Sequence, residues 1–395
     1  MRIREAARVL GVSARTIRYY EEKGLLTPAK EHQSGYRVFT AEDIGRLKLI
    51  IALRQAGMAT ASIAEALASG LQQTQHATDA LRLLLQQHRS ETMQLWLSLR
   101  QQLETTEGLL QLLQQEVAES MPIAAMFKQA QDARVMSKQR GNWQDHWNYD
   151  RLAAEHDQMV LRGEGIYRYY EEALAAAVSR LAPAAGESGI DLGTGTGNLA
   201  GRLLALGATM SAIDQSPAML AQAASKYPQL ETRLGNMLAI PYIEGKFSFI
   251  SSSFAFRHLS TDQQLLALEE MHRVLRPGGR ICLVDLISPP ASAVSPDSAA
   301  DRVGRKVDVP GASSSVQSDT TARENPPASV RAIAVPNGSV ICGEQRSPSE
   351  ADAHQMTRLH TPLRPALNWL THHHYDVELQ PLCTNLYLLY AVQSP

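Results

Sequence analysis

From residue 188 onward the chain alternates short apolar runs with helical patterns. "SGIDLG", "ATMSAID", "ETRLGN", "FSFISSS" and "RICLVDL" each stand apart from the next by a stretch of helical period. Strands that alternate with helices in this rhythm pair in parallel, because parallel neighbours need a long crossover and a helix supplies it. No other feature limits the fold so tightly; it predicts an α/β sheet over 143–395. The rhythm breaks after "RICLVDL". Between Ile287 and Trp369 there is no aromatic residue, and Ser, Pro, Ala and Asp dominate. Residues 288–360 therefore read as a disordered insertion, too poor in apolar area to order itself. Patterning resumes with "PALNWLTHHHY", a helix, then "DVELQPL" and "NLYLLYAVQ", two strands.

The first strand runs into "DLGTGTGNLA", with Asp191, Gly193, Gly195 and Gly197 in a turn that opens a helix. A dinucleotide fingerprint needs a glycine at 198, where Asn198 stands, so the nicotinamide reading fails. The G-x-G-x-G form suits S-adenosylmethionine instead. Glycines let the backbone approach a ligand with no Cβ in the way, and a helix N-terminus attracts a carboxylate. Asp191 is placed to receive an ammonium group. Asp214 closes the next strand, where an acid takes ribose hydroxyls in related sheets.

The front of the chain is built differently. Ile3, Ala6, Ala7 and Leu10 share a helical face that Gly11 ends; Ser13 caps a second helix running to Lys23, with Gly24 behind it. Two short helices joined by a tight glycine turn form a helix-turn-helix. Thr40 and Asp43 give a capping-box signature for the next helix, ending at Gly57, and Thr60 caps another ending near Gly70. Residues 78–119 hold no proline and one glycine, Gly108. Within them Trp96, Leu99, Leu103, Thr106, Leu110, Leu113 and Val117 recur at steps of three and four, a heptad seam on a helix roughly 60 Å long at 1.5 Å per residue. No second heptad segment exists to pair with it, so a dimeric coiled coil is expected over one helix of an intrachain bundle. Residues 121–142 read as a polar connector.

Charge divides the chain in the same way. Residues 1–70 carry eleven Lys and Arg against seven Asp and Glu, a net of +4, while 141–288 carry twelve against sixteen, a net of −4. A basic head on an acidic body is expected where only the head meets phosphate. In a helix-turn-helix the second helix enters the major groove, and here it offers Arg15, Thr16, Arg18 and Tyr19. Tyr36 and Arg37 at the following loop tip are placed as a wing against phosphate.

The first seventy residues, "IREAARVLGVSARTIRYYEEKGLL" and then "GYRVFTAEDIGRLKLIIALRQAGM", resemble the MerR family of transcriptional regulators. The T-I-R-Y-Y-E core, the G-Y-R wing and the E-D-I-x-x-L helix stand in register. The resemblance implies a winged helix-turn-helix over 1–72 and an antiparallel coiled coil over 76–120 that makes a homodimer. It also implies binding to double-stranded promoter DNA, with RNA polymerase as a partner. Metal-sensing members carry cysteines near the end of the long helix; Cys282, Cys342 and Cys383 lie elsewhere, which argues against a metal effector.

Residues 143–287 and 362–393 resemble class I S-adenosylmethionine-dependent methyltransferases. The matching stretches are "IDLGTGTG", "IDQSPAML" with Asp214 and Gln215, "GNMLAIPY", "FSFISSSFAFRHL" and "MHRVLRPGGRICLVDL". On that resemblance Asn236 and Met237 edge the adenine, Ser252 lies near the transferable methyl, and "NWQDHWNYD" is the upstream lid, with Tyr149 against the cofactor. Family members mostly carry an acid where Asn236 stands, and Phe-Asp where Ser248 heads the fourth strand.

The expected whole is multidomain: an all-α winged helix-turn-helix and a long coiled-coil helix, followed by an α/β Rossmann-like methyltransferase sheet. Methyl transfer from a sulfonium needs mainly alignment and desolvation, so no catalytic base is assigned. His258 reads either as a proton acceptor or, more simply, as a structural histidine. "THHHY" puts three histidines on successive positions that face apart on a helix, which speaks against a metal site. Two functions compete. One is a DNA-binding regulator that also methylates a small molecule; the other is a regulator whose methyltransferase-like domain only senses S-adenosylmethionine or a small-molecule effector. Base methylation lacks support, since no "PPY"-like tetrad follows the fourth strand. No apolar run approaches the roughly 18 residues of a membrane span; with the scattered cysteines this predicts a cytoplasmic protein with no membrane partner.

Overall fold

The computed structural model describes residues 1–31, 35–68, 74–114, 122–141, 148–288, 330–332, 361–383 and 385–394. They form two compact units, Met1–Thr92 and Met93–Pro395. The boundary falls inside one helix.

The first unit holds α1 (Ile3–Leu10), α2 (Ala14–Glu22), β1 (Ala29–Lys30), β2 (Arg37–Val38), α3 (Ala41–Gln55), α4 (Thr60–Ala68) and the start of α5 (Thr74–Gln114). Local chemistry sets its boundaries. Gly11 ends α1 in the left-handed region at φ 66°, a conformation glycine adopts without a Cβ penalty. The Ser13 hydroxyl accepts the Thr16 N–H at 3.0 Å. At α3 the capping box is complete: the Thr40 N–H donates to Asp43 Oδ2 at 2.8 Å, and the Asp43 N–H donates to Thr40 Oγ1 at 3.1 Å. Thr60 is the first residue of α4 rather than a residue outside it. Ile17, Leu25, Leu47, Ile50 and Ile63 are fully buried in the shared core, each contributing about 1.5–3 kcal/mol of hydrophobic stabilisation.

The second unit takes the rest of α5 and then α6 (Ile123–Gly141), α7 (Tyr149–Leu152), α8 (His156–Leu161), α9 (Tyr170–Leu181), β3 (Ser188–Leu192), α10 (Asn198–Ala205), β4 (Thr209–Asp214), α11 (Pro217–Lys226), β5 (Glu231–Leu234), β6 (Phe247–Ser253), α12 (Thr261–Val274) and β7 (Leu275–Ser288). There follow β8 (Val330–Ala332), β9 (Thr361–Pro362), α13 (Arg364–His372), β10 (Tyr375–Pro381) and β11 (Leu386–Gln393). The sheet order is β5-β4-β3-β6-β7-β11-β10-β8, with β9 beside β7. Strands β3 to β7 pair in parallel, and β11 is antiparallel to both β7 and β10. Helices cover both faces. One core gathers Ile190, Ile213, Ile250, Leu268 and Met271; the other gathers Leu174, Ala177, Leu203, Phe249 and Val284. The chain winds outward from β3 to β5 and then returns to β6 on the other side. That reversal opens a crevice at the carboxyl ends of β3 and β6, where ligands bind in sheets of this kind.

Two expectations need correction. Residues 123–141, read as part of a polar connector, form a helix. Their Ala, Lys, Gln, Met and Arg are good helix formers, and the helix runs back along α5, where Gln101 Nε2 donates to the Ala133 carbonyl at 2.8 Å. This helix lies beside α5 but buries no residue of its own, so it is not a second heptad segment. Within the expected disordered insertion, Val330–Ala332 form a strand parallel to β10, because that edge has unpaired backbone groups to offer. The remainder of 288–360 beyond Ser288 lies outside the described residues, as does Val117 of the heptad seam. Trp96, Leu99, Leu103, Leu110 and Leu113 of the seam are exposed, by 40% to 62%.

Candidate functional site

The turn after β3 is built from three left-handed glycines, with φ 65° at Gly193, 54° at Gly195 and 82° at Gly197. At Gly193 the requirement is double, since a Cβ there would also lie 2.6 Å from the Ala255 Cβ. Gly195 and Ser216 donate their N–H groups to the two carboxylate oxygens of Asp214, at 2.8 and 2.9 Å. That carboxylate thus ties the glycine turn to the N-terminus of α11.

These groups line a cavity of about 880 Å³, counting the space open to solvent at its mouth. Of the ten residues singled out for a cofactor, Tyr149, Gly193, Gly195, Asp214, Gln215, Asn236 and Met237 line it, and Asp191, Gly197 and Ser252 do not. The three are placed for physical reasons. Asp191 is 1% exposed beneath the turn, and its oxygens accept the hydroxyls of Ser251 and Thr194, both at 2.7 Å. Burial pushes its carboxyl up to about 6, against those two hydrogen bonds and with help from Asp214. Ser252 Oγ donates to the Leu192 carbonyl at 2.7 Å, which turns it toward β3. Gly197 serves as the N-cap of α10.

Four lining residues, His156, Tyr167, Tyr170 and Phe254, were not singled out in the sequence; with His258 they join Tyr149 in an aromatic chamber. Tyr167 lies edge-on to Tyr170 at 6.0 Å between centroids, and Phe254 lies 5.5 Å from Tyr170 and 5.7 Å from Tyr167. The Tyr149 hydroxyl and Nε2 of His258 share a hydrogen bond at 2.9 Å. Burial drives that imidazole down to about 3, the Arg257 charge adds to the effect, and a backbone hydrogen bond at Phe254 opposes it. His258 is therefore neutral, and a pKa so far below neutrality makes it a poor general base. Burial also lowers the pKa of His156, whose Nδ1 is buried with no hydrogen-bond partner among the described residues.

Three acids fasten this chamber. Asp150 of α7 accepts Ser216 Oγ at 2.6 Å and the Ala218 N–H at 3.1 Å, which pins α7 to the start of α11; residues 142–147 of the expected lid lie outside the described residues. Asp157 of α8 accepts Thr196 Oγ1 at 2.5 Å and Asn198 Nδ2 at 3.1 Å, pinning α8 to the glycine turn. Asp285 of β7 accepts the Arg257 N–H at 2.9 Å and its Nη1 at 3.1 Å, each side chain 1% exposed. That buried pair sets the turn carrying Phe254 and His258. On the adenine side of the expectation, Asn236 Oδ1 accepts the Leu238 N–H at 2.9 Å. In the "THHHY" stretch, His373 stacks on Trp369 at 3.7 Å while His372 and His374 are exposed.

The first unit presents a separate face. Arg15, Arg18 and Tyr19 are exposed on α2, and Thr16 is half-buried against Ser13 Oγ at 2.8 Å. Tyr36 is exposed beside β2, with the Arg2 guanidinium 5.0 Å from its ring centroid. Arg37 donates from Nε to both Glu21 oxygens, at 2.7 and 2.6 Å. It braces β2 against α2, so of the two residues expected in a wing Tyr36 is the more exposed. No helix among the described residues is long and apolar enough to cross a membrane.

Comparison with known proteins bears on both units. Residues 1–70 match the model of MerR HTH family regulatory proteins, and residues 190–279 match that of a methyltransferase domain. The chain is 32% identical over 149 residues to the ubiquinone/menaquinone biosynthesis C-methyltransferase UbiE of Cereibacter sphaeroides, covering 35% of this chain and 58% of that protein. It is 36% identical over 101 residues to the demethylmenaquinone methyltransferase of Chlorobaculum parvum, covering 25% and 41%. The chain thus spans less than two thirds of the length of these relatives. Among solved structures, a methyltransferase bound to the Trm112 activator of Haloferax volcanii is similar, with a TM-score of 0.32, 23% identity, and 37% and 63% of the two chains covered.

Proposed function

Since the chain joins a MerR HTH domain at its N-terminus to a methyltransferase domain, we propose that it is a promoter-binding transcriptional regulator that also methylates a small molecule. S-adenosylmethionine is the cofactor proposed for the cavity. The observation that carries this reading is the placement of Asp214: its carboxylate sits between the Gly195 and Ser216 N–H groups on the cavity wall, beside a glycine turn that no Cβ obstructs.

The residues present fit such a ligand. Gly193, Gly195, Asp214, Gln215, Asn236 and Met237 all line the cavity; in this reading the glycines would leave room for the ligand, Asp214 and Gln215 would accept ribose hydroxyls, and Asn236 and Met237 would flank the adenine. Tyr149, Tyr167 and Phe254 line the cavity, and aromatic rings of this kind can stabilise a sulfonium. When bound, the cofactor supplies an already activated methyl group. What the chain adds is alignment and a dry surround. Tyr149, latched to His258, holds the lid over the chamber, and Asp150 and Asp157 fasten the helices that carry it. Asp191 and Ser252 act from beneath, by fixing the turn and the end of β3. The relatives are named for methylating at carbon in quinone biosynthesis, and the aromatic chamber supports a flat, neutral acceptor of that kind.

A second reading has an observation of its own. Asn236 stands where an acid is usual and spends its side-chain oxygen on the Leu238 N–H. That favours a domain that senses S-adenosylmethionine or its demethylated product without turnover. Titration of the full chain with S-adenosylmethionine and S-adenosylhomocysteine, followed by methyl-release assays on a panel of phenols and hydroquinones, separates the two. Binding with turnover supports the enzyme, binding without turnover supports the sensor, and no binding overturns both.

For the front unit the proposal is double-stranded promoter DNA gripped by Arg15, Thr16, Arg18 and Tyr19, with Tyr36 on the backbone and Arg37 bracing the wing from Glu21. The exposed leucines of α5 support a homodimer through an antiparallel coiled coil, tested by the oligomeric state of Leu103→Glu. RNA polymerase as partner and the cytoplasm as location belong to the same proposal and rest on family likeness.

A further inference from the structure

The turn after β5 forms one wall of the cavity, and it is gripped from behind by the helical arm. Asn236 and Met237 line the cavity; the residues just after them are held by charged side chains of α6 and α12. Arg140 of α6 donates from Nη1 to the Leu238 carbonyl at 2.6 Å. Glu270 of α12 accepts the Ile240 N–H at 3.0 Å, and Arg273 donates to the carbonyls of Ile240 and Tyr242 at 2.9 and 2.7 Å. Glu270 and Arg273 are buried and bonded to each other at 2.7 Å, and Arg140 lies 3.7 Å from the same Glu270.

The far side of this cluster meets α5. The Arg273 guanidinium lies 5.3 Å from the centroid of the Trp96 ring, and Arg100 pairs with Glu244 at 2.6 Å. Trp96 is also a seam residue of the long helix. Glu270 and Arg273 are too deeply buried to be left unpaired without a penalty, so a displaced turn must carry its partners along. Arg140 keeps its Nε buried with no hydrogen-bond partner among the described residues, so its present hold is not the best it could make.

We infer that a ligand seated against Asn236 and Met237 sets the position of α5 through Arg140, Glu270 and Arg273. The inference rests on the proposed cofactor reading of the cavity and adds its regulation. Occupancy is transmitted to the arm by a clamp on the backbone of 238–242, and by reciprocity the position of the arm tunes affinity for the ligand. Coupling of this kind is established by measurement on both ends, not by proximity.

The test is hydrogen–deuterium exchange of the full chain with and without S-adenosylhomocysteine, at saturation fixed by calorimetry. In the natural chain, exchange over 93–104 slows at least about fivefold on binding, the low end of ordinary coupling. In Arg140→Ala the ligand still binds and still protects 193–197, but the effect on 93–104 is lost. Trp96→Ala, which alters a partly exposed side chain, repeats the test where Arg140→Ala fails to fold. Binding with no change over 93–104 overturns this inference and leaves the cavity reading standing. So does an unchanged effect in a folded variant. Absence of binding overturns the cavity reading itself.

Discussion

Asp191→Asn isolates the effect of one buried acid. Asp191 is 1% exposed, and burial pushes its carboxyl up to about 6, from 3.8 in the open chain. Two pH units at about 1.4 kcal/mol each amount to about 3 kcal/mol between the two protonation states. The sign follows from proton binding. In the window between the unfolded and folded values the native state holds more protons than the unfolded one, so stability is greatest below the unfolded value and falls as pH rises through the folded one. About 2 kcal/mol of that loss falls between roughly pH 4.5 and 7.5. Asparagine removes the titration. It also keeps only one acceptor oxygen for the hydroxyls of Ser251 and Thr194, which costs about 1 kcal/mol at every pH. Urea unfolding of the second unit, followed through exchange of the β3 and β4 amides, gives the difference between variant and natural chain at each pH. That difference should move by about 2 kcal/mol in favour of the variant on going from acid to neutral solution. A constant difference across the range would refute the claim that burial dominates Asp191.

Three further outcomes are expected. Gly193→Ala meets left-handed strain of about 1–2 kcal/mol and a crowded Ala255 Cβ, together enough to weaken S-adenosylhomocysteine binding by at least about thirtyfold in calorimetry while far-ultraviolet circular dichroism is unchanged. Arg257→Ala leaves Asp285 buried without its partner and lowers stability by about 3–5 kcal/mol in urea unfolding, whereas Arg257→Met with Asp285→Leu recovers most of the loss. Arg18→Ala weakens binding to a duplex selected from a random pool and reduces the slope of log affinity against log salt by about one; an unchanged slope would remove Arg18 from the phosphate contacts.

Legibility followed the range of the interaction. The Ser13 cap, the Thr40–Asp43 box and the left-handed glycines at 193, 195 and 197 involve residues within a few positions of each other, so their chemistry is written in adjacent letters. The parallel strands were readable because each is a short apolar run between helical patterns. The helix at 123–141 was not, since it has no buried residue and no apolar stripe; its partner contact at Gln101 is what reveals its place. The aromatic chamber draws Tyr149, Tyr167 and Phe254 from three separate elements, and only the sheet reversal brings them together. Asp191 and Ser252 carried the right residue types at the right strand ends. Their side chains are nonetheless spent on Ser251, Thr194 and Leu192, a competition that no spacing in the chain announces.

The chamber formed by Tyr149, His156, Tyr167, Tyr170, Phe254 and His258 holds no ionised side chain, for its two imidazoles are kept uncharged by burial. An anionic guest would surrender its hydration there and find no counter-ion in exchange. Guests that differ by a single methylene would separate by only about 10–200-fold. Under the proposed reading such a compartment would turn away anions and sort loosely by outline, which would make it broad toward planar molecules.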